Sequence, residues 1–262
     1  MGVILGLTGA GGGILAVPAL VLGMQWPMTQ AAPIALIAVG LAAITGALDG
    51  LKKRQVRYKA AMLMALAGAL TAPIGIVIAR QLPDKLLMLG FSALMVFIAL
   101  RMVRGLIHPH PPSPDTRPKP CLLNQQTGKF IWSRSTVWTI GRIGAITGIF
   151  TGLLGVGGGF LIVPALQRFT PLSMHHIVAT SLMVIALISG STVTMALWHS
   201  QALPPGSWFF ICAVIVGMLA GRFLSPRLPT RTIQWTFVIL CLLAAGIVIM
   251  QALDLIPPLT QL

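Results

Sequence analysis

Two stretches of the chain carry nearly the same sequence: GVGGGFLIVPAL at residues 155–166 and GAGGGILAVPAL at residues 9–20. A shift of 146 residues aligns positions 2–20 with 148–166 without a gap, and 12 of these 19 pairs are identical. The same shift pairs Leu82-Pro83 with Leu228-Pro229. These matches indicate a duplication that covers nearly the whole chain.

The repeated stretch is a poor helix former. Each glycine in a helix costs about 1 kcal/mol relative to alanine. Pro18 and Pro164, five residues after the last glycine of each copy, remove a further backbone donor and are predicted hinges. We therefore expect a broken helix in each repeat. In a membrane such a break is tolerated where the freed backbone groups face protein or a water-filled cavity, so the pair marks a candidate substrate site.

The alternative is that the glycines only allow close helix packing. Gly148-x-x-x-Gly152 and Gly217-x-x-x-Gly221 have the spacing of four that this role requires. Packing glycines need not be consecutive. The run of three in each copy therefore favours a break.

The composition predicts an all-α polytopic membrane protein. The chain is 56% hydrophobic and 8% charged, with a mean hydropathy of +0.91. We expect two homologous repeats, at 1–106 and 136–262, joined by a Pro-rich cytoplasmic linker at 107–135. Each repeat would hold about four hydrophobic segments, one of them broken or re-entrant at the glycines. The eight apolar segments are Val3–Gly23, Ala31–Leu51, Ala60–Ala79, Leu86–Val103, Val137–Leu166, Ile177–Trp198, Gly206–Leu224 and Ile233–Leu253.

The positive charge lies in short loops. A net charge of +14 could suggest nucleic-acid binding, but this distribution is typical of topology determinants, so no nucleic-acid partner is predicted. If all eight segments cross the bilayer, the repeats are parallel and the charge bias is twofold. If the glycine segments are re-entrant, the repeats are inverted and 16 of the 18 Lys and Arg residues face the cytoplasm. The charge rule favours the inverted arrangement.

The sequence offers no pattern for a metal, a disulfide or a catalytic centre. The three cysteines lack paired or metal-ligand spacing, and His108 and His110 stand in a proline-rich loop. The chain contains no glutamate and four aspartates. We predict no cofactor, no metal and no enzymatic activity. No cleavable signal is evident before the first glycine motif.

Neutral hydrogen-bond donors predict a small anion as the ligand. Backbone N–H groups at a glycine-rich helix start, with hydroxyl, amide and imidazole side chains, suit an anion better than a cation. For the hydroxyls the alternative is a bond to the preceding helix turn, and for the histidine it is an interfacial position. The predicted binding residues are Gly11, Gly12, Gly13, Gly157, Gly158, Gly159, Thr180, Ser181, Gln30 and His176.

Asp49 stands near the end of a predicted span, three residues before Lys52. Its simplest role is an interfacial ion pair. The alternative is a carboxyl group that carries a coupling proton, which its basic neighbours would oppose by keeping it ionised.

The second repeat resembles the TauE/SafE family of sulfite exporters. The residues that carry the likeness are GLLGVGGG at 152–159, Val163-Pro164 and ATSL at 179–182. The first repeat keeps its glycines and Val17-Pro18 but has APIAL at 32–36, without the hydroxyls. The resemblance implies a multi-pass transporter of sulfite-like or organosulfur anions in the bacterial inner membrane.

Two functions fit the sequence. The first is a secondary exporter of sulfite or a small sulfonate anion, held at the paired glycine breaks. The second is a passive small-anion channel, which would lack coupling and saturation. The lipid bilayer is the expected environment for either, and a homo-oligomer remains open.

Overall fold

The structure, a computed structural model, describes residues 2–8, 12–24, 26–107, 121, 132–198, 207–224 and 230–253. These residues form helices and no strand. The helices are α1 (Gly2–Thr8), α2 (Ala16–Met24), α3 (Met28–Lys52), α4 (Tyr58–Gln81), α5 (Asp84–Ile107), α6 (Arg134–Leu154), α7 (Gly159–Phe169), α8 (Met174–Trp198), α9 (Ser207–Leu224) and α10 (Thr230–Ala252). A 3₁₀ turn at Gly12–Leu15 leads into α2.

Six of these helices are long and apolar enough to cross a bilayer: α3, α4, α5, α6, α8 and α10. Shorter apolar helices cover Gly13–Met24, Gly159–Phe169 and Ser207–Gly221. The predicted class, an all-α polytopic membrane protein, is confirmed. The long apolar segment Val137–Leu166 is two helices, α6 and α7, separated at residues 155–158.

A helix start recurs at the interval of the sequence repeat. Helices α3 and α8 begin at Met28 and Met174, and these two starts are 146 residues apart. This agreement supports the duplication read from the sequence.

The repeats also pack on each other reciprocally. A side chain at Gly75 of α4 would meet the carbonyl oxygen of Ile149 in α6. A side chain at Gly221 of α9 would meet the carbonyl oxygen of Val3 in α1. The two contacts correspond under the shift of 146 residues, which pairs Gly75 with Gly221 and Val3 with Ile149. Each broken segment therefore packs on the helix that follows the long inner helix of the opposite repeat.

The direction of the helices fits inverted repeats. In α3 and α8, Gly40 faces Ser189 and Gly50 faces Ala179, so the two helices run antiparallel. Parallel repeats would require corresponding helices to run the same way. The antiparallel pair therefore favours the inverted arrangement over eight crossings.

The second glycine segment turns back on itself. Helix α6 runs parallel to α4, since Gly144 faces Met64 and Gly152 faces Ala72. After Leu154 the chain reverses, because a Cβ at Gly158 would meet the side chain of Thr147, which lies 11 residues earlier, in α6. Helix α7 then leads back to the start of α8. A helix of 11 residues is about 16 Å long, so α7 covers about half of a bilayer core.

The inverted arrangement makes a testable prediction about sidedness. Cysteines placed at Gln55, Gln125 and Arg227 should all react with a membrane-impermeant thiol reagent from the cytoplasmic side, because positive loops remain inside. Native Cys212 is exposed and should first be replaced by serine, whereas Cys121 and Cys241 are buried. A cysteine at Lys85 is the control and should react from the outside. Labelling of Arg227→Cys from the same side as Lys85→Cys would contradict the arrangement.

Candidate functional site

The second glycine break is a tight left-handed turn between α6 and α7. Gly155, Gly157 and Gly158 have φ of +70°, +70° and +66°, a region that residues with a side chain rarely adopt. A Cβ at Gly155 would also collide with Ala32, at the start of α3. The glycines thus allow the left-handed backbone turn, and Gly155 also allows α3 to pack closely against it.

The two glycine breaks meet inside the protein. A Cβ added at Gly13 would lie 3.1 Å from the carbonyl oxygen of Val156 and 3.2 Å from Cγ1 of Val39. A Cβ at Gly157 would lie 3.4 Å from the same Val39 atom and 3.1 Å from Cγ2 of Ile185. Val39 and Ile185 are 146 residues apart and lie where α3 crosses α8. The paired breaks therefore share one location, next to the middle of the crossing helices.

Helix α7 directs its N-terminus into this location. The N–H groups of Leu161 and Ile162 donate to the carbonyl oxygen of Gly158 at 3.0 and 3.2 Å, which begins the helix. The N–H groups of Gly159 and Phe160 lie in the first turn, where a helix provides no acceptor. Apolar side chains surround the turn, including the buried Val156 and Phe160. Backbone dipoles in such low-dielectric surroundings favour an anion.

Two hydroxyls at the second break were not predicted. Ser189 of α8 and Thr147 of α6 are almost fully buried, and their oxygens have no hydrogen-bond partner among the described residues. Sequence spacing offered a signal for both. Ser189 lies eight residues after Ser181, and Thr147 lies four before Thr151, so each continues a helix face that already carries a hydroxyl.

Thr180 and Ser181 lie at the end of α8 that contacts the α3–α4 loop. The Oγ1 atom of Thr180 accepts a hydrogen bond of 3.1 Å from the Arg57 backbone N–H, and Ser181 donates to the carbonyl oxygen of Val178 at 2.9 Å. They precede Ser189 by nine and eight residues, which is about 12 to 14 Å along the helix. The structure places Ser189, rather than this pair, beside the glycines. The hydrogen bond made by Ser181 is the bond to the preceding helix turn that was the alternative to a binding role.

Gln30 and His176 are not brought together. Gln30 is exposed in the first turn of α3, and His176 lies in the first turn of α8, with Nδ1 2.8 Å from Oγ of Ser173. Because α3 and α8 are antiparallel, these starts lie at opposite ends, about 35 Å apart. One small anion cannot contact both. His176 lies at the start of a helix, the kind of interfacial position that was the alternative to a role in anion binding.

Asp49 forms an ion pair with Lys53, with 2.9 Å between Nζ and Oδ2. Its side chain is 35% exposed, and its neighbour Gly50 faces Ala179, which places it at the helix end near Thr180. An interfacial ion pair is the arrangement observed. A proton-coupling role for Asp49 stays a prediction.

The remaining predicted residues divide into two groups. Pro18 and Pro164 lie inside α2 and α7, and in the second copy the chain turns at residues 155–158, before Pro164. A hinge role for the two prolines stays a prediction. Gly12 begins the 3₁₀ turn, and Gly11 lies outside the described residues.

Several arginines of the described helices are exposed. Arg142 is exposed on α6, with its guanidinium 5.3 Å from the centre of the Trp138 ring.

A surface cavity of about 410 Å³ is lined by one face of α5, formed by Phe97, Leu100, Arg101 and Arg104. No group of three or more His, Cys, Asp or Glu side chains that could hold a metal occurs among the described residues.

Comparison with known proteins identifies a family that spans most of the chain. Residues 1–248 match the family model described as "Sulfite exporter TauE/SafE". The chain is 30% identical over 234 residues to a "Probable membrane transporter protein" of Xylella fastidiosa strain 9a5c, covering 88% of this chain and 82% of that protein. It is 25% identical over 253 residues to the "Probable membrane transporter protein YunE" of Bacillus subtilis strain 168, covering 87% and 85%. No solved structure matches the chain significantly. On the strength of a match that spans nearly all its helices, the chain belongs to the TauE/SafE family of membrane transporters.

Proposed function

We propose that the protein is a secondary transporter that exports sulfite or a small organosulfur anion across the bacterial inner membrane. The anion is held at the paired glycine breaks. The observation that carries this proposal is the meeting of the breaks, with Gly13 next to the Val156 carbonyl at the crossing of α3 and α8. Discontinuous helices that meet at a repeat interface are the usual construction of binding sites in secondary transporters.

The site is suited to weak, reversible binding. A helix terminus stabilises a bound anion by about 0.3 to 2 kcal/mol. A site built from a few helix termini therefore binds its anion with modest affinity. Modest affinity allows release, which a transporter needs in each cycle. The side chains described next to Gly13, Gly157 and Gly158 are uncharged, which leaves the ligand's own charge as the main determinant of binding.

Transport by the purified protein in liposomes tests this function. We expect saturable movement of sulfite or a sulfonate that depends on the membrane potential or a pH gradient. The panel should include sulfite, sulfate, thiosulfate and alkyl sulfonates, with protein-free liposomes as the control. Linear, uncoupled flux would identify a passive channel. No flux of any of these anions would refute the proposal.

Arg142 should contribute little to binding. Because its guanidinium stacks on Trp138 at the exposed face of α6, Arg142→Gln is expected to lower transport by less than about tenfold, or 1.4 kcal/mol. Initial rates over a range of anion concentration provide the measurement. Arg168→Gln is a matched control, since Arg168 also stacks on an aromatic ring, that of Phe169. A loss far above tenfold for Arg142→Gln alone would show that an arginine anchors the anion.

A further inference from the structure

We infer that Ser189 and Thr147 bind the oxygens of a singly charged sulfur oxyanion, such as hydrogen sulfite or a sulfonate, at the break between α6 and α7. We further infer that this break discriminates against doubly charged anions. The inference rests on the proposed function and names its ligand class and side-chain contacts.

The first observation is that both hydroxyls are buried and unpaired. Ser189 is 1% exposed and Thr147 is 0% exposed, and neither oxygen has a partner among the described residues. An unpaired hydroxyl in a protein interior is unfavourable, and native structures rarely retain one without a function. A ligand oxygen would provide the missing partner.

The second observation is that both residues lie next to the glycine turn. The Oγ atom of Ser189 is 3.7 Å from the point that a Cβ on Gly157 would occupy. Thr147 lies against Gly158, since a Cβ there would touch the Cγ2 atom of Thr147. Ser189 of α8 and Thr147 of α6 therefore both lie next to the turn that precedes the N-terminus of α7, and the atoms nearest the glycines are Oγ of Ser189 and the Cγ2 methyl carbon of Thr147.

Neighbouring hydroxyls differ from this pair because they are satisfied locally. Thr151 donates to the carbonyl oxygen of Thr147 at 2.8 Å, and Thr192 donates to that of Ile188 at 2.8 Å. Such bonds to the preceding turn are the ordinary arrangement for Ser and Thr in membrane helices. Ser189 and Thr147 have not adopted it.

The chemistry of these groups selects an oxyanion. A hydroxyl donates one hydrogen bond and can accept others, so it can donate to a sulfonyl oxygen or accept a hydrogen bond from the O–H group of hydrogen sulfite. Together with the N–H groups of Gly159 and Phe160, the break offers several neutral donors, and the side chains that the structure describes against Gly157 and Gly158 are uncharged.

The position of the cations limits the charge of the ligand. Arg57 contacts α8 at Thr180, about 14 Å along the helix from Ser189, and Lys53 is paired with Asp49. The desolvation cost of an ion rises with the square of its charge, while neutral dipoles compensate only in proportion to the charge. A second negative charge would therefore lack compensation at the break.

Transport of methanesulfonate and sulfate tests the inference, because these anions have similar geometry and differ in charge. The wild-type protein in liposomes should transport radiolabelled methanesulfonate at least about tenfold faster than sulfate at equal low concentration. Ser189→Ala and Thr147→Val should each lower methanesulfonate transport at least about fivefold. Their melting temperatures should not fall, because each change removes an unpaired buried hydroxyl.

Ser191→Ala and Thr192→Val are the controls. Both residues lie on α8 next to Ser189, but their hydroxyls bond to the carbonyl oxygen of Ile188, so transport should stay within about twofold of wild type. If the wild type transports methanesulfonate and the Ser189→Ala and Thr147→Val variants transport it at the same rate, the inference is overturned and the proposed function remains in place. Equal rates for sulfate and methanesulfonate would overturn the charge selectivity. Failure of the wild type to transport either these anions or sulfite would overturn the proposed function and, with it, the inference.

Discussion

Replacement of Gly158 by leucine is expected to abolish transport while the protein remains in the membrane. Gly158 has φ of +66°, and a Cβ there would touch the Thr147 side chain and lie 2.8 Å from Oγ1 of Thr151. The left-handed conformation alone costs a residue with a side chain about 1 to 2 kcal/mol. The leucine side chain would also fill the approach to the N-terminus of α7. We expect a loss of at least about 100-fold in the initial transport rate, the equivalent of two tenfold steps.

Gly190→Leu is the matched control for this prediction. Gly190 follows Ser189 on α8, and a Cβ there would meet nothing within 4 Å, so transport should be nearly unchanged. Membrane content and the size-exclusion profile should be measured for both variants. Normal transport by Gly158→Leu would show that the anion binds elsewhere. Loss of the protein from the membrane would show that the glycine is needed for folding rather than for the site.

Replacement of Gly148 by leucine should strongly destabilise the fold. Gly148 packs α6 directly on α4, where a Cβ would collide with the carbonyl oxygen of Gly68 and with Oγ1 of Thr71. Backbone cannot move aside as a flexible side chain can, so the cost should reach the upper end of overpacking, at least about 3 kcal/mol. Thermal unfolding of the purified protein in detergent provides the measurement, with a lower melting temperature as the expected result.

Gly141→Leu tests whether this loss is specific to the packed face. Gly141 lies two turns before Gly148 on α6, and a Cβ there would meet nothing within 4 Å. Its melting temperature should remain close to that of the wild type. Equal destabilisation by the two substitutions would contradict the close packing of α4 and α6.

The sequence predicted the elements that depend on local chemistry. The glycine run and the spacing-four glycines are local signals, because a left-handed turn or a backbone contact demands the absence of a side chain. Gly158 and Gly148 were therefore recognised in their separate roles. The charge distribution favoured re-entrant segments, and the antiparallel α3 and α8 agree with that interpretation.

The sequence predicted side-chain contacts at the site less well. Residues were grouped by nearness to the motif along the chain, whereas the antiparallel crossing decides which of them meet in space. Gln30 and His176 occupy equivalent positions in the two repeats, and inversion places such positions at opposite ends. Ser189 lies far from the motif in sequence yet next to Gly157 in the fold. Its spacing from Ser181 places it on a helix face with a hydroxyl, but the three-dimensional crossing of α3 and α8 is needed to place it beside the glycines.

The location of a bound anion tests the central claim most directly. Crystals of the protein grown with bromoethanesulfonate should show anomalous scattering from bromine, which marks the ligand independently of the protein atoms. We predict a peak beside Val39, between Gly13 and Gly157, with the sulfonate directed toward Ser189 and the first turn of α7. Bromine peaks confined to the Arg101–Arg104 face of α5 or to the helix end near Arg57 and His176 would contradict the claim.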